Sequence, residues 1–518
     1  MRVFMWTVIE NKNEIVEAEN ERGESHAFFP EIDLDLSRKL LEQFNNVSLK
    51  GGRKLCEYWE YKGFYLFPAI QEWLYWHFFV QIVKHQKALS FLRGKKLSFK
   101  RFPYYTVSGV RKVWDVYYQR HSLLKRVFYN VCSSSLRFLS SFKPILVHDD
   151  GTDGFRYSKF KEVLSDFTEF TRIERVKKRN IVSCIRSWDH CIAGYKSVHY
   201  GPSPEISYDS CSFLHSYVSE DEFVLLIESI HRYCSDKVAE SRILDKYLSK
   251  RNCRLLLGYD NIEEIASLVI ACKLHGAKVI TYQHGLFTRQ HAGWLSPGIS
   301  EKYCNVRSDK IVVWGKYWKE KLLKYSNIYQ ADNILLGAHL YDRFNCRCSH
   351  SRKRKEDALK IFLPYEFFTD NISVSRYIRK FLERGWSIIV KLRPVGNGNI
   401  HTDLYSYDED IRERISFTYE LLERDIEEID VVVCTQTTFA FEMMRHSKPI
   451  WYLATRFHFL EMHEDGMAHY VDESILDDMK DRKILEKYLK PKHSFEQYEH
   501  VFNEESLKDS IESLLMKF

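Results

Sequence analysis

The sequence lacks the patterns that mark exported and membrane-spanning proteins. The first residues run into Glu10 and Lys12 without an apolar stretch of signal-peptide length, so we expect no export signal. The most apolar window, residues 64–83, is too polar for an unaided membrane span, because it contains Gln71, Glu72, His77 and Gln81. We therefore expect no transmembrane helix.

The sequence also lacks the spacing of a metal centre. Its 12 cysteines form no CxxC pair, and several fall in predicted core elements, as reduced cytosolic thiols do. Two further groups of candidate ligands have unsuitable spacing: Cys346, Cys348 and His350, and His458, His463 and His469. The sequence predicts no metal site and no cofactor.

Basic charge is concentrated in one part of the chain. Between Gln81 and Ile145 there are fourteen Lys or Arg and one acid, and aromatic residues lie between them. Such a segment suits an anionic bilayer surface. A solvated helical face and RNA binding are the alternatives. The chain has no RNP-like, zinc or helix-turn-helix signature, so we expect no nucleic-acid partner.

Strands and helices alternate from residue 144 onward. The chain has 518 residues and 45% hydrophobic content, enough for two or three domains. The pattern predicts an α/β fold with two doubly wound domains facing a cleft. We expect an aromatic, basic and mainly helical region at 1–143, an acceptor-side domain at 144–305, a nucleotide-binding domain at 306–472 and a helical tail at 473–518.

The stretch from Asp430 to Ala454 predicts one strand-helix-strand unit. Two continuous apolar runs, Val431–Val433 and Ile450–Leu453, are typical of strands buried on both faces. Hydroxyl side chains at the start of the helix between them can cap it, and its free N–H groups can donate hydrogen bonds to a phosphate. The alternative is an ordinary capped helix.

The order of these strand ends resembles bacterial glycosyltransferases of the GT-B fold that build capsule and lipopolysaccharide chains. The resemblance covers residues 144–470 and rests on Leu255–Leu257, Tyr282–Gly285, Val312–Gly315, Leu336–Gly337 and Val433–Thr438. It implies transfer of a sugar from a nucleotide-sugar donor to a polysaccharide or lipid-linked acceptor, with no obligatory metal. Together with the basic segment at residues 84–143 and the lack of an export signal, it leads us to expect a cytoplasmic protein, peripheral at the inner face of the cell membrane through residues 84–143.

The resemblance implies a donor site in the second domain. Charge on the leaving phosphates would be met by basic side chains and the helix start, and Glu442 would accept hydrogen bonds from ribose hydroxyls. The residues of this predicted donor site are Lys391, Arg393, Gln436, Thr437, Thr438 and Glu442.

The first domain is predicted to carry the catalytic and acceptor-side residues. Asp149 or Asp150, at a strand end, can take the proton from the attacking hydroxyl, and an Asx turn is the alternative. His284 can take a proton or bind a phosphate oxygen, or it is a structural histidine. Asp260 and Gln283 are predicted acceptor-side residues, and a helix N-cap explains Asp260 equally well.

Bacterial sialyltransferases and their polysialic relatives share part of this pattern. Asp149-Asp150-Gly151 fits their acid-acid-glycine motif and Thr435–Thr438 their Ser/Thr-rich motif, while Arg393-Pro394 stands where His-Pro is expected. Two other functions remain open. One is a UDP-sugar 2-epimerase on the same fold, and the other is a non-catalytic protein that assembles a polysaccharide complex.

The basic segment predicts salt-sensitive binding to anionic vesicles. We expect substitution of Lys95, Lys96, Lys100 and Arg101 by Ala to weaken this binding, because each cation near an anionic surface contributes about 1 kcal/mol. Vesicle co-sedimentation at low and high salt measures it, and equal binding to neutral vesicles would contradict it.

Overall fold

The structure is a computed structural model. It describes residues 5–10, 16–20, 25–28, 33–83, 96–97, 142–149, 154–176, 190–193, 201–260, 262–338, 358–364, 371–392, 412–419, 421, 423–435, 437–455, 461–503 and 506–516. The basic segment predicted at 84–143 lies outside these residues, apart from the strand at 96–97 and its last two residues, 142–143.

The N-terminal region combines a small sheet with buried helical turns. Its elements are β1 (Met5–Glu10), β2 (Val16–Asn20), β3 (Ser25–Phe28), α1 (Leu34–Asn45), β4 (Glu60–Tyr61), β5 (Phe64–Tyr65), α2 (Gln71–Leu74) and β6 (Lys96–Leu97). Strands β3, β2, β1 and β6 form one sheet in that order, and β4 pairs with β5. Helix α2 continues directly into a π-helical turn, Tyr75–Phe79, whose Tyr75, Phe78 and Phe79 are buried.

The first large sheet has seven parallel strands. They are β7 (Ile145–Asp149), β8 (Thr171–Val176), β9 (His190–Ala193), β10 (Leu255–Tyr259), β11 (Lys278–Tyr282), β12 (Lys310–Val313) and β13 (Ile334–Leu336). Their order is β13-β12-β11-β10-β7-β8-β9. The helices of this domain are α3 (Gly154–Ser165), α4 (Glu220–Leu248), α5 (Ile262–Leu274), α6 (Ala292–Leu295) and α7 (Lys316–Tyr325).

The second large sheet has six parallel strands. They are β14 (Lys360–Pro364), β15 (Ser387–Lys391), β16 (Ile415–Thr418), β17 (Val431–Cys434), β18 (Ile450–Leu453) and β19 (His469–Val471), in the order β16-β15-β14-β17-β18-β19. Its helices are α8 (Asn371–Glu383), α9 (Glu423–Glu428) and α10 (Thr438–Met443). The central strand β17 is buried along its whole length, as its continuous apolar run predicts.

The two doubly wound α/β domains predicted from the sequence are confirmed by this strand order. The predicted boundary at residues 305/306 is corrected. Strands β12 and β13 pair in parallel with the first sheet, so the second sheet begins at Lys360. The apolar pattern of these strands identified them as strands, but the partner of a strand is set by packing between distant segments.

The last four helices are α11 (Glu473–Asp478), α12 (Arg482–Tyr488), α13 (Phe495–Val501) and α14 (Leu507–Met516). Leu476 of α11 and Leu485 of α12 are buried in the core of the second domain, whereas α14 returns to the first domain. Ile511 and Leu514 of α14 are buried against Val147, Leu257 and Phe160 in the core of the first domain. The C-terminal segment therefore completes the core of the first sheet.

Among the described residues, no helix combines the length and the apolar character that a membrane crossing requires. The described part of the chain also holds no group of three or more His, Cys, Asp or Glu side chains arranged to bind a metal ion.

We expect Ile511→Ala to destabilise the protein by about 2–5 kcal/mol, because it leaves a cavity at a fully buried position. Met516→Ala on the same helix is the matched control, since Met516 is 78% exposed. Urea unfolding measures both variants, and equal midpoints for the two would contradict the packing of α14 described above.

Candidate functional site

Each large sheet reverses its strand order at one point. In the first sheet the reversal lies between β7 and β10, and in the second sheet it lies between β14 and β17. Open α/β sheets bind ligands in the crevice beyond the carboxyl ends of the strands at such a point. The residues that follow these ends are therefore the first candidates for a functional site.

A carboxylate and a histidine meet beyond the carboxyl ends of β10 and β11. The backbone N–H of His284 donates to Oδ1 of Asp260 at 3.2 Å. The Nδ1–H group of the His284 ring also donates to this oxygen. Asp260 is 2% exposed, whereas the His284 side chain keeps 27% of its surface exposed. We call these two residues the Asp260–His284 pair.

The hydrogen bonds of this pair determine its chemistry. A carboxylate can only accept, so the Nδ1 atom of His284 carries the proton and Nε2 is the basic nitrogen of the ring. Asp260 can stabilise the imidazolium that forms when Nε2 takes a proton. The second carboxylate oxygen of Asp260 is buried and has no hydrogen-bond partner among the described residues.

Two residues that the sequence analysis did not select lie beside this pair. Glu72 comes from α2, and its Oε1 lies 3.4 Å from Nε2 of His291. The His291 ring stacks on Trp294 at 3.7 Å, and the indole N–H of Trp294 donates to the backbone oxygen of Asp260 at 3.2 Å. The N-terminal region therefore contributes an acid to the edge of the first sheet.

The surroundings shift the pKa values of Glu72 and His291 away from their ordinary ranges. Burial, with the nearby Glu263 carboxylate, raises the pKa of Glu72 to about 8, although the charge of His284 opposes this. Burial, with the nearby His284, lowers the pKa of His291 to about 3. At neutral pH Glu72 is thus mostly protonated and His291 is neutral.

A glycine provides the space for the Glu72 carboxylate. A Cβ atom on Gly293 would lie 2.6 Å from Oε2 of Glu72, which is closer than real Cβ contacts allow. The sequence offered one signal for Glu72: an acid inside a strongly aromatic run that folds into a buried helix. The π-helical turn that follows α2 is a second signal, since such turns are frequent at functional sites.

The loop after β11 holds Gln283 in the core. Its side-chain oxygen accepts from the Trp314 N–H at 3.0 Å, and its amide nitrogen donates to the Gly285 carbonyl at 2.8 Å. Gln283 is fully buried. Its amide fixes the loop that carries His284 and cannot contact an acceptor as the sequence analysis expected.

The carboxyl edge of the second sheet carries part of the predicted donor site. The Thr437 hydroxyl accepts the Phe439 N–H at 3.1 Å and so caps α10. Lys391 ends β15, and its Nζ lies 5.7 Å from the centre of the Phe439 ring. The structure therefore brings Lys391 to the start of α10. Thr438 and Glu442 lie on α10 and are half-buried, whereas Thr437 is buried.

Of the remaining predicted site residues, the structure describes only the backbone of Asp149. The backbone of Asp149 ends β7, at the strand reversal, and pairs with Glu174 of β8. Asp150, Arg393 and Gln436 lie outside the described residues.

Contacts between the two domains lie close to both groups of residues. Phe441 of α10 packs edge-on against Trp318 of α7 at 5.2 Å. On the same side, Lys321 of α7 binds the carboxylates of Glu461 and Asp465, the second at 2.8 Å. The start of α10 is thereby held against the first domain.

Comparisons with known proteins give only distant structural likeness. No protein-family model matches the sequence, and no curated protein matches it. The motifs shared with sialyltransferases therefore gain no support from sequence comparison.

The similar solved structures include a UDP-N-acetylglucosamine 2-epimerase, with 13% identity and a TM-score of 0.42, which covers 73% of this chain and 96% of its own. Acinetobacter baumannii MurG has 9% identity and a TM-score of 0.43, covering 72% of this chain and 99% of its own. A glycosyltransferase from Rickettsia africae has 13% identity and a TM-score of 0.40, covering 73% and 98%. At this level of likeness, the fold assignment rests on the strand order.

The raised pKa of Glu72 predicts a stability that falls as pH rises. The folded protein holds the Glu72 proton more tightly than the unfolded chain, so stability is lost between pH 4.5 and about 8. We expect the melting temperature of Glu72→Gln, measured relative to the wild type, to be higher at pH 8 than at pH 5. Calorimetry measures this.

Glu42→Gln is the control, because Glu42 is exposed on α1. If the melting temperature of Glu72→Gln, relative to the wild type, rises between pH 5 and pH 8 by no more than that of Glu42→Gln, the raised pKa of Glu72 is contradicted.

Proposed function

We propose that the chain is a glycosyltransferase that moves a sugar from a nucleotide-sugar donor to a surface-polysaccharide or glycolipid acceptor. The second domain holds the donor and the first domain holds the acceptor. The segment at 84–143 brings the enzyme to the inner face of the cell membrane. The Asp260–His284 pair, beyond the carboxyl ends of the strands of the first sheet, is the observation that carries this proposal.

The pair supplies the base that the transfer needs. As the bond between sugar and phosphate breaks, Nε2 of His284 takes the proton from the attacking hydroxyl, and Asp260 stabilises the imidazolium. Asp149 and Asp150, at the end of β7, are the second candidates for this base. The position of Asp149 at the strand reversal supports this choice.

The leaving nucleotide is held at the second sheet. Lys391 and the backbone N–H groups at the start of α10 meet the negative charge of the phosphates, and the contact of Lys391 with Phe439 supports this arrangement. Arg393, Gln436, Thr437 and Thr438 complete the phosphate site of the proposal, and Glu442 accepts hydrogen bonds from the ribose. The positive charge of Lys391 and Arg393 and the partial positive charge of the helix N–H groups stabilise the phosphate of the nucleotide as it departs.

The Glu72–His291 contact supports a second candidate function, a UDP-sugar 2-epimerase. Epimerisation moves protons on and off the sugar and therefore needs several proton-transfer groups around one substrate. Glu72, protonated at neutral pH, and the basic Nε2 of His284 are an acid and a base on the same sheet edge.

A product assay tests the proposal. CMP-, UDP-, GDP- and CDP-linked sugars are first screened by thermal shift, and the donor that binds is incubated with and without acceptor. We expect transfer to an acceptor, and a loss of about 10²–10⁴-fold in turnover for His284→Ala, because a positioned base contributes that much. Asp260→Asn should lower turnover in the same direction.

His275→Ala is the matched control. His275 also hydrogen-bonds a carboxylate, that of Asp245, at 2.9 Å, but it follows α5 at the other edge of the sheet. The turnover of His275→Ala should equal that of the wild type. Epimerised donor formed without acceptor would replace the transferase by the epimerase, and unchanged turnover in His284→Ala would exclude His284 as the base.

A further inference from the structure

A cavity lies at the opposite edge of the first sheet from the Asp260–His284 pair. Its volume is about 810 Å³. Lys278 and Lys310, which line it, are the first residues of β11 and β12, and Asn333 directly precedes β13. Strands of this length at about 3.3 Å per residue separate the cavity from the candidate site by roughly 15 Å.

Positive charge dominates the described lining of this cavity. It contains five cations and two carboxylates, namely Lys273, Lys278, Lys302, Arg307 and Lys310 with Glu301 and Asp309. The cavity therefore carries more positive than negative charge at neutral pH. Low-dielectric walls concentrate the field of such charges on a bound anion.

The two carboxylates are already engaged. Asp309 lies 3.1 Å from Nζ of Lys273 and also accepts the Val279 N–H at 2.8 Å. Glu301 lies 3.0 Å from one terminal nitrogen of Arg307. The other terminal nitrogen of Arg307 is buried and has no hydrogen-bond partner among the described residues. Each acid thus compensates one cation.

Three lysines of the described lining form no direct ion pair, and the carboxylate that acts on Lys302 is the more distant Glu57. Among the described residues no carboxylate pairs with Lys278, Lys302 or Lys310, and Lys310 donates to the backbone oxygen of Asp332 instead. Lys278 and Lys302 are exposed and border the cavity, so their ammonium groups can reach a ligand. The Lys273 side chain is only 17% exposed, and this burial lowers its pKa.

One wall of the cavity is aromatic and fixed in place. Phe64 of β5 lines it and is half-buried. The Asn305 side chain donates to the Gly63 carbonyl at 2.6 Å and accepts the Tyr65 N–H at 3.1 Å, which anchors the β4–β5 hairpin beside the sheet. An apolar ring beside cations suits a ligand with a ring and attached anionic groups.

We propose that this cavity binds a phosphorylated sugar that carries two or more negative charges. The lysines without a direct ion pair attract the phosphates, the ring lies on Phe64, and the volume fits a small ligand. The site is separate from the proposed catalytic site, so the proposal does not rest on the proposed function.

Calorimetry on the full chain tests the proposal with fructose 1,6-bisphosphate and inorganic pyrophosphate as probes and glucose as the neutral control. We expect both anions to bind, the sugar bisphosphate more tightly, with an affinity that falls as salt rises. Lys278→Ala combined with Lys302→Ala should weaken binding by about tenfold or more, because two contacts with the anion are lost.

Lys316→Ala combined with Lys324→Ala is the matched control. Lys324 lies over the Tyr325 ring at 4.9 Å, as Lys302 lies over Tyr303 at 4.5 Å, and Lys316 is exposed at the first position of α7, as Lys278 is at that of β11. The control should bind both anions with wild-type affinity, and thermal unfolding should show both double variants folded.

Three results would overturn the proposal. The first is the absence of binding by either anion. The second is an equal loss of anion affinity in both double variants, which would show that the affinity depends only on the net charge of the protein. The third is a loss of anion affinity in Lys391→Ala but not in the Lys278→Ala and Lys302→Ala double variant, which would place the anion at the start of α10.

Discussion

The candidate site depends on the buried carboxylate of Asp260. It holds both the backbone and the ring of His284, and the backbone oxygen of Asp260 holds the Trp294 indole. Hydrogen bonds to an ionised acceptor in a low-dielectric interior are strong, so this residue fixes the loop after β11 and α6 against the end of β10. The His291–Trp294 stack then positions Glu72 from a region far away in the sequence.

A second group of contacts joins the two sheets into one functional unit. Apolar contact between Phe441 and Trp318 lies beside the buried ion pair of Lys321 with Glu461. Breaking a buried pair by removing one partner costs about 3–5 kcal/mol, since the other charge is left uncompensated. Movement of the second domain relative to the first therefore has to preserve or replace this ion pair. The carboxyl edges of the two sheets are thus coupled through α7.

The sequence predicts the elements of this fold better than their partners. Continuous apolar runs such as Leu255–Leu257 identify buried strands, because both faces of a parallel sheet are covered. Pairing of β12 with the first sheet depends on distant contacts, which the run itself does not encode. Gln283 stands at a strand end like a ligand, yet it turns into the core to satisfy the Trp314 backbone. Glu72 was missed because tertiary packing alone brings it to Asp260.

The position of α14 has a consequence for synthesis on the ribosome. This helix covers apolar residues of the first sheet, including Val147 and Leu255, yet it emerges long after β7. At usual translation rates the delay is roughly twenty to seventy seconds. Throughout that interval an apolar surface of the nascent first domain stays exposed to solvent. A chaperone that shields such surfaces during elongation would therefore raise the yield of this protein in a cell.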